Sequence, residues 1–370
     1  MRVVHVLRKL RVAGPELRVL NLVRELSSFT HVVVCVKKGP LYSRYAELCD
    51  VREIPNSRGN PLGFLLHLTR VLREVQPDVV IGHQFGNHLL VASAAFLARV
   101  PATFGVSTND PVYYSGSRLW PMALAQLARP VCDGEIAVSN SVAHVLTARL
   151  KLPSSRVTVI HNGCPVRDIS PRADNGRRSP PVARRDGFAR VFMAATMSRT
   201  KDHRSVISAI DLLRHRGRNV ELVLAGGSFR DARTNVVESL IDELDLRDRV
   251  THLGVRHDVP ELMGGSDIVV HASRSEGFAM TVAEAMAARA PVVASDIPAC
   301  REALDAGRCG ILVPPEDPTA IADAIERILD DAVFRNQIVD AAFERVSEHF
   351  DVSHMAAGYR RLISSRVLRA

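Results

Sequence analysis

The sequence predicts an α/β protein of two doubly wound domains in series, each a parallel sheet covered by helices on both faces. Three observations carry this reading. Short apolar runs of strand length alternate with longer stretches of helical period along nearly the whole chain. The alternation lapses once, near the middle, and then restarts. The length of 370 residues exceeds a usual single domain and suits two.

Residues 3–7 (Val-Val-His-Val-Leu) read as the first strand, followed by a loop at Gly14 and Pro15. After Glu16, residues Leu17, Leu20, Val23 and Leu26 fall on one helical face. Residues 32–36 read as strand, 62–75 as helix, 79–81 as strand, 89–100 as helix and 102–106 as strand. A strand at 136–138 runs into Ser139, which caps a helix to about residue 150, and a strand at 157–160 closes the half. Residues 164–190 break the pattern with Pro165, Pro171, Pro180, Pro181 and several arginines. The expected boundaries are therefore a first domain at 1–168, a linker at 169–190 and a second domain at 191–349. In the second half, strands are expected at 191–195, 220–224, 250–253, 268–270, 291–294 and 310–313. Helices are expected at 202–216, 236–246, 259–263, 318–329, 332–349 and 352–368.

Hydrophobic residues make up 46% and charged residues 24%, as in a soluble globular protein. No apolar run reaches the length of a spanning helix. The apolar run at the N-terminus is too short for a signal peptide and reads as a strand, so a cytoplasmic protein is expected. The net charge of +8 favours anionic partners: a membrane surface, nucleic acid or phosphorylated substrates. No nucleic-acid module is present in the sequence, so nucleic acid is not an expected partner. The six cysteines lack metal-ligand spacing and read as reduced thiols.

Four groups fall at strand ends, where such sheets bind ligands. The most informative is the stretch from Ser273 through Glu276, Gly277, Phe278, Ala279 and Met280 to Glu284: strand, small-residue turn, helix start. Gly277 lets backbone approach a ligand, and the free N–H groups of the helix start make an anion site. The second group is Thr196 to His203, where Arg199 and Lys201 precede a helix and suit a diphosphate. The third is His83, after the strand at 79–81, and the fourth is the Gly14 loop. Taken singly, each piece is also an ordinary turn or a structural histidine.

Together they resemble a retaining glycosyltransferase of the GT-B architecture, of the family 4 type (glycosyl transferases group 1). The resemblance rests on Glu276-x7-Glu284 within Ser273-x-x-Glu276-Gly277-Phe278, followed by Pro291-Val292-Val293-Ala294. It extends to Lys201-Asp202-His203, Leu253-Gly254, residues 258–263, residues 310–314 and His161-Asn162-Gly163. The match covers nearly all of the second half and is looser in the first, at Gly14, His83 and residues 137–139.

The resemblance implies two Rossmann-like domains facing each other across a cleft, with a final helix at 350–370 crossing back to the first. It implies a nucleotide-diphosphate sugar as donor, bound by the second domain, and a glycan or lipid-linked acceptor at the first. Glu284 would hold the ribose hydroxyls, Glu276 the sugar hydroxyls, and the backbone of residues 277–280 the sugar and diphosphate. Lys201 and Arg199 would neutralise the diphosphate, Arg256 would lie near the base, and Gly14 would approach the donor. His83 and Glu276 are the expected catalytic residues, the latter as a stabilising group and not a nucleophile. No metal and no resident cofactor is expected, the sequence having no Asp-x-Asp motif. Peripheral contact with the anionic inner face of a membrane is expected because many such enzymes act on lipid-linked acceptors.

Three departures stand out. Thr196 stands where relatives have an arginine, Ser107 where many have a histidine, and Gly14 is single where a glycine pair is common. Arg199 would compensate for the first, and Asn109 or Asp110 would shape the acceptor site in place of the second. Two other readings use the same architecture: a nucleotide-sugar epimerase, and a non-catalytic binding subunit.

Overall fold

The computed structural model describes residues 1–12, 14–54, 60–83, 88–110, 113, 119–227 and 231–367. The chain divides into two compact units, Met1–Gly163 with Val352–Ala370, and Cys164–Asp351. In chain order the first stretch holds β1 Arg2–Lys9, α1 Gly14–Glu25, β2 Thr30–Lys37, α2 Tyr42–Ala46, β3 Asp50–Glu53, α3 Pro61–Val75 and β4 Val79–Gly82. It continues through α4 His88–Leu97, β5 Ala102–Ser107, α5 Leu119–Ala128, β6 Gly134–Ala137, α6 Asn140–His144 and β7 Val157–Val159. The second stretch begins with α7 Val166–Arg178, β8 Ala189–Ala194, α8 His203–His215, β9 Val220–Ala225, α9 Asp231–Glu243, β10 Val250–His252 and α10 Val259–Gly264. Then come β11 Ile268–His271, α11 Met280–Ala287, β12 Val292–Ser295, α12 Pro298–Ala303, β13 Ile311–Val313, α13 Pro318–Asp330, α14 Ala332–His349 and α15 Val352–Val367.

Both sheets are parallel. The first runs β3-β2-β1-β4-β5-β6-β7 and the second β10-β9-β8-β11-β12-β13. Each has a switch point, between β1 and β4 and between β8 and β11, where the chain connections leave in opposite directions. Ligand crevices open at such points, beyond the carboxyl ends of the strands. Helices on both faces explain the unbroken burial of Val3 to Leu7 in β1 and of every residue in β4, β5 and β12. In the first unit, one core lies between the sheet and α3 and α4, and another lies under α1. In the second unit, Val206, Ile210, Ile321 and Ile325 pack on β8 and β9.

Local rules set the helix ends. Asn60 accepts the Gly63 N–H at 2.8 Å ahead of Pro61, and α3 ends at Gln76 with φ 48°. Asp202, Asp317 and Asp331 cap α8, α13 and α14.

The structure departs from expectation in the middle of the chain. The expected linker at 169–190 is not one: α7 occupies Val166–Arg178 and belongs to the second unit, which begins at Cys164. Its buried stripe is Val166, Ile169, Ala173 and Gly176, too small in side chain to register as an apolar period. It packs backbone to backbone on α10. A Cβ on Gly176 would fall 2.0 Å from the Glu261 carbonyl oxygen, and one on Gly264 1.9 Å from that of Ala173. The edge strand β3 was missed because its sequence, Asp-Val-Arg-Glu, has no apolar run. Helix α5 was missed because it is apolar all round and so has no period. The final helix α15 lies in the first unit and packs on α1.

Candidate active site

At the carboxyl ends of β8 and β11, two loops are tied together. Lys201 and Ser273 form an isolated antiparallel bridge, the Arg274 N–H donates to the Thr200 carbonyl at 2.8 Å, and that of Asp202 to Ala272 at 3.1 Å. Arg274 adds a clamp. Its guanidinium donates to the Arg199 carbonyl at 2.9 Å and pairs with Glu316. The result is a rigid frame at the second unit's switch point.

Inside that frame the Lys201 ammonium donates to Glu276 Oε1. The Ser273 hydroxyl lies 2.9 Å from both Glu276 Oε1 and the Thr200 carbonyl, and as a single donor serves one at a time. Ser273 is held by its own N–H, which donates to Ser295 Oγ at 3.0 Å. The buried His271 brings Nε2 to 3.3 Å from Glu276 Oε1. Burial pushes the Glu276 carboxyl up, but the Lys201 charge and His271 outweigh it and hold the group at about 2. Glu276 is therefore held as the anion. Burial and Lys201 together lower the His271 imidazole.

The next turn carries the chain into α11. Gly277, Phe278 and Ala279 are buried, and Phe278 packs edge-on against Phe350 with ring centroids 5.2 Å apart. Helix α11 begins after Ala279, which offers no side-chain cap. Glu284 follows one turn in. Among the described residues no hydrogen bond or ion pair reaches its carboxylate, and burial alone raises it to about 7. Such a carboxylate has acceptor capacity that no described group uses.

The neighbouring strand ends supply less than expected. Arg199 is exposed, and its guanidinium has no partner among the described residues. Thr196 is exposed as well. Arg256 is taken up by Asp258, with Nε 2.8 Å from Oδ1 and a second bond to Oδ2. Gly226, with φ 146°, lets β8 and β9 close up, since a Cβ there would lie 1.9 Å from the Ala195 carbonyl oxygen.

The first unit's switch point holds a chain of buried imidazoles. Arg18 Nη2 donates to His83 Nδ1 at 3.0 Å, because a guanidinium can only donate. The His83 proton is thus on Nε2, and it donates to His5 Nδ1 at 2.9 Å. His5 Nε2 then donates to His31 Nδ1 at 3.1 Å, and His31 Nε2 to the Leu26 carbonyl at 2.9 Å. Every ring is a neutral Nε2–H tautomer. Burial lowers all three imidazoles, with the Arg18 charge adding to the effect at His5 and His83.

His83, expected as a catalytic residue, is fully buried here with both ring nitrogens engaged, Nδ1 by Arg18 and Nε2 by His5. What it does is orient Arg18, whose Nη1 donates to Asn162 Oδ1 at 3.2 Å. Gly14 opens α1 in an exposed position where a Cβ would meet nothing within 4 Å. The protein's own packing does not require a glycine there. Ser107 is buried, its hydroxyl 3.3 Å from Glu135 Oε2, and Glu135 Oε1 pairs with His88 Nδ1 at 2.9 Å. Gly105 makes room for that pair, for a Cβ would lie 2.4 Å from Glu135 Oε1.

Residues 177–345 match the sequence model of the family described as Glycosyl transferases group 1, and residues 12–167 match that of Glycosyltransferase Family 4. The chain belongs to these glycosyltransferases.

Relatives share the glycosyltransferase sequence at modest identity. The chain is 28% identical over 291 residues to an uncharacterized glycosyltransferase of Methanocaldococcus jannaschii, covering 75% of this chain and 73% of that protein. It is 28% identical over 273 residues to the α-D-kanosaminyltransferase of Streptomyces kanamyceticus, covering 72% and 67%. Among solved structures, Anabaena HepE in complex with UDP and glucose matches with a TM-score of 0.88 at 21% identity, covering 99% of this chain and all of that one. WaaG, a glycosyltransferase involved in lipopolysaccharide biosynthesis, matches with a TM-score of 0.75 at 15% identity, covering 98% and 99%. At these identities the likeness is one of fold, the GT-B pair of Rossmann-like domains.

In this glycosyltransferase the structure brings Lys201 and Glu276 into contact and runs Gly277 to Met280 into the helix that carries Glu284. Sequence reasoning missed His271, Ser295 and Arg274 around Glu276, and His5, His31 and Arg18 around His83. Two of these had a visible signal. His5 and His31 interrupt or border apolar strand runs, where a polar side chain is buried on both faces and must find partners.

Proposed function

We propose that the protein transfers a sugar from a nucleotide-diphosphate sugar to a glycan or lipid-linked acceptor, with retention of configuration and without a metal ion. The observation that carries this is Glu284, an unpartnered carboxylate raised to about 7, one helical turn beyond the Lys201–Glu276 pair. Ribose hydroxyls would supply the donors that Glu284 lacks. Glu276, held at about 2, cannot give a proton, so its role is to accept sugar hydroxyls and face developing positive charge at the anomeric carbon. Lys201 would turn from Glu276 toward the diphosphate as negative charge builds on it, assisted by the uncapped N–H groups of α11. The free Arg199 guanidinium would take the second phosphate contact, and Arg256 with Asp258 would border the base.

His83 acts by positioning Arg18. The donor is read as a UDP-sugar because HepE was solved with UDP and with UDP-glucose. The names of relatives, which include a D-inositol 3-phosphate glycosyltransferase, span several acceptors. The test is a mass-spectrometric screen of UDP-, GDP- and ADP-sugars, with NMR of the product anomer and a parallel run in EDTA. Transfer that persists in EDTA and keeps the donor's anomeric configuration is the expected result. An inverted product, or loss of turnover restored only by a divalent ion, would overturn the corresponding part.

A further inference from the structure

Three donors converge on one oxygen of Glu276. The Lys201 ammonium, the Ser273 hydroxyl at 2.9 Å and His271 Nε2 at 3.3 Å all face Oε1. Among the described residues no hydrogen bond reaches Oε2. The protein thus fixes one oxygen and leaves the other for a ligand. The three donors differ in how far they can move. Lys201 stands on the loop before α8, at the end of a flexible four-carbon stem. The Ser273 hydroxyl is shared with the Thr200 carbonyl. His271 ends β11, which lies between β8 and β12, and its side chain is only 2% accessible. That ring cannot follow a moving partner.

His271 is also incompletely used. Its 3.3 Å approach to Oε1 lies off the line of a full hydrogen bond, and no other partner reaches the buried Nε2 among the described residues. A carboxylate oxygen only accepts, so the nitrogen that faces it carries the hydrogen. Burial and the Lys201 charge keep the ring neutral. A buried donor left short of its acceptor is costly unless a second arrangement completes the bond. The function proposed above supplies that arrangement. When Lys201 turns to the diphosphate, Glu276 is left buried with a serine hydroxyl that has a second claimant. Other nearby groups offer little. The Arg274 guanidinium is occupied by Glu316 and the Arg199 carbonyl, Asp202 carries like charge, and Cys300 presents a weak thiol donor. His271 Nε2 needs only a small turn of the carboxylate.

We propose that His271 is a positioning residue for Glu276. It donates its Nε2 hydrogen to Oε1 when Lys201 moves to the donor's diphosphate, and so keeps the carboxylate ionised and Oε2 free for the sugar hydroxyls. This deepens the donor-site reading proposed above and rests on it for the movement of Lys201. Lys201→Ala reproduces the departed ammonium without any substrate, so the two readings can fail separately.

The test compares His271→Leu, which removes the donor, with His271→Gln, whose amide N–H stands where Nε2 does. Each is made alone and together with Lys201→Ala. NMR of isotope-labelled glutamate reads the Glu276 carboxyl, its signal identified by its loss in Glu276→Gln. With Lys201→Ala in place, His271→Leu should raise the Glu276 titration midpoint by about one unit or more, and His271→Gln should return it. With Lys201 present, His271→Leu should lower kcat for transfer by about 10- to 100-fold and change the donor KM little, since the bond forms after Lys201 has moved. His271→Gln should stay within about threefold of the parent. A merely structural histidine would lower the melting temperature and leave the midpoint where it was. His271→Asn, too short to reach Oε1, should behave as the leucine variant and serves in its place should that variant unfold. Two results would overturn the proposal: the same Glu276 midpoint in Lys201→Ala with and without His271→Leu, or a folded His271→Gln that restores neither the midpoint nor kcat.

Discussion

Glu284 offers the sharpest test of the donor site, because one group should leave opposite marks on stability and on binding. Burial takes its carboxyl from an ordinary 4.5 to about 7. That difference corresponds to about 3 kcal/mol against the ionised form, reduced somewhat by the solvent contact this half-buried position keeps. The sign follows from which state holds the proton. Between pH 4.5 and 7 the unfolded chain has lost it while the folded chain keeps it, so stability falls as pH rises through that window and levels off above it. Glu284→Gln removes the penalty. The variant should resist urea better than the parent by about 2–3 kcal/mol at pH 8, and by less than about 1 kcal/mol at pH 5. Donor binding should move the other way. Ribose hydroxyls bind the carboxylate through charge-assisted hydrogen bonds of about 1.5–3 kcal/mol. The parent's Kd for a nucleotide-diphosphate sugar should weaken about tenfold for each pH unit below 7. The variant should bind about 10- to 100-fold more weakly at pH 8, with no such pH dependence. Calorimetric titration of both proteins from pH 6 to 8 decides it. A parent Kd that is flat with pH, or a variant that keeps the parent's slope, would refute the role given to Glu284.

Lys201→Ala should cut transfer by about a hundredfold or more, since on the proposed reading it removes the diphosphate's counter-charge as well as the partner that keeps Glu276 ionised; steady-state kinetics would show it mainly in kcat. Gly176→Ala should destabilise the second unit by about 1–3 kcal/mol, because its new methyl meets the Glu261 carbonyl and α7 must move off α10, as chemical denaturation would reveal. The first unit should be acid-labile. His5 and His83 stay neutral when folded but take up protons near pH 6.5 when unfolded, so each costs about 1.4 kcal/mol of stability at pH 5.5, and a melting temperature that does not fall between pH 7.5 and 5.5 would contradict the imidazole chain.

Much of this was legible in the sequence. The order of most strands and helices follows from apolar period, because parallel strands buried on both faces must read as continuous runs such as Val79-Val80-Ile81. Caps at Asn60, Ser139, Asp202 and Asp317 are equally local, since each satisfies N–H groups within its own first turn. The strand-turn-helix unit that carries Glu276, Gly277 and Glu284 within nine residues was legible too. Helix α7 was not, because Gly176 and Ala173 matter for what they lack, and the absence of a side chain carries no period.

What only the tertiary structure decided are the pairings between residues far apart in the chain. Lys201 and Glu276 are 75 residues apart, and their contact depends on β8 and β11 being neighbours at a switch point. The same holds for His5 and His83, 78 residues apart, which meet because β1 lies beside β4. Sequence supplied the chemistry of each side chain. Sheet order determined what each one faces, and hence that Glu276 stays charged, that Glu284 sits near neutrality, and that His83 meets Arg18 inside a buried chain of imidazoles.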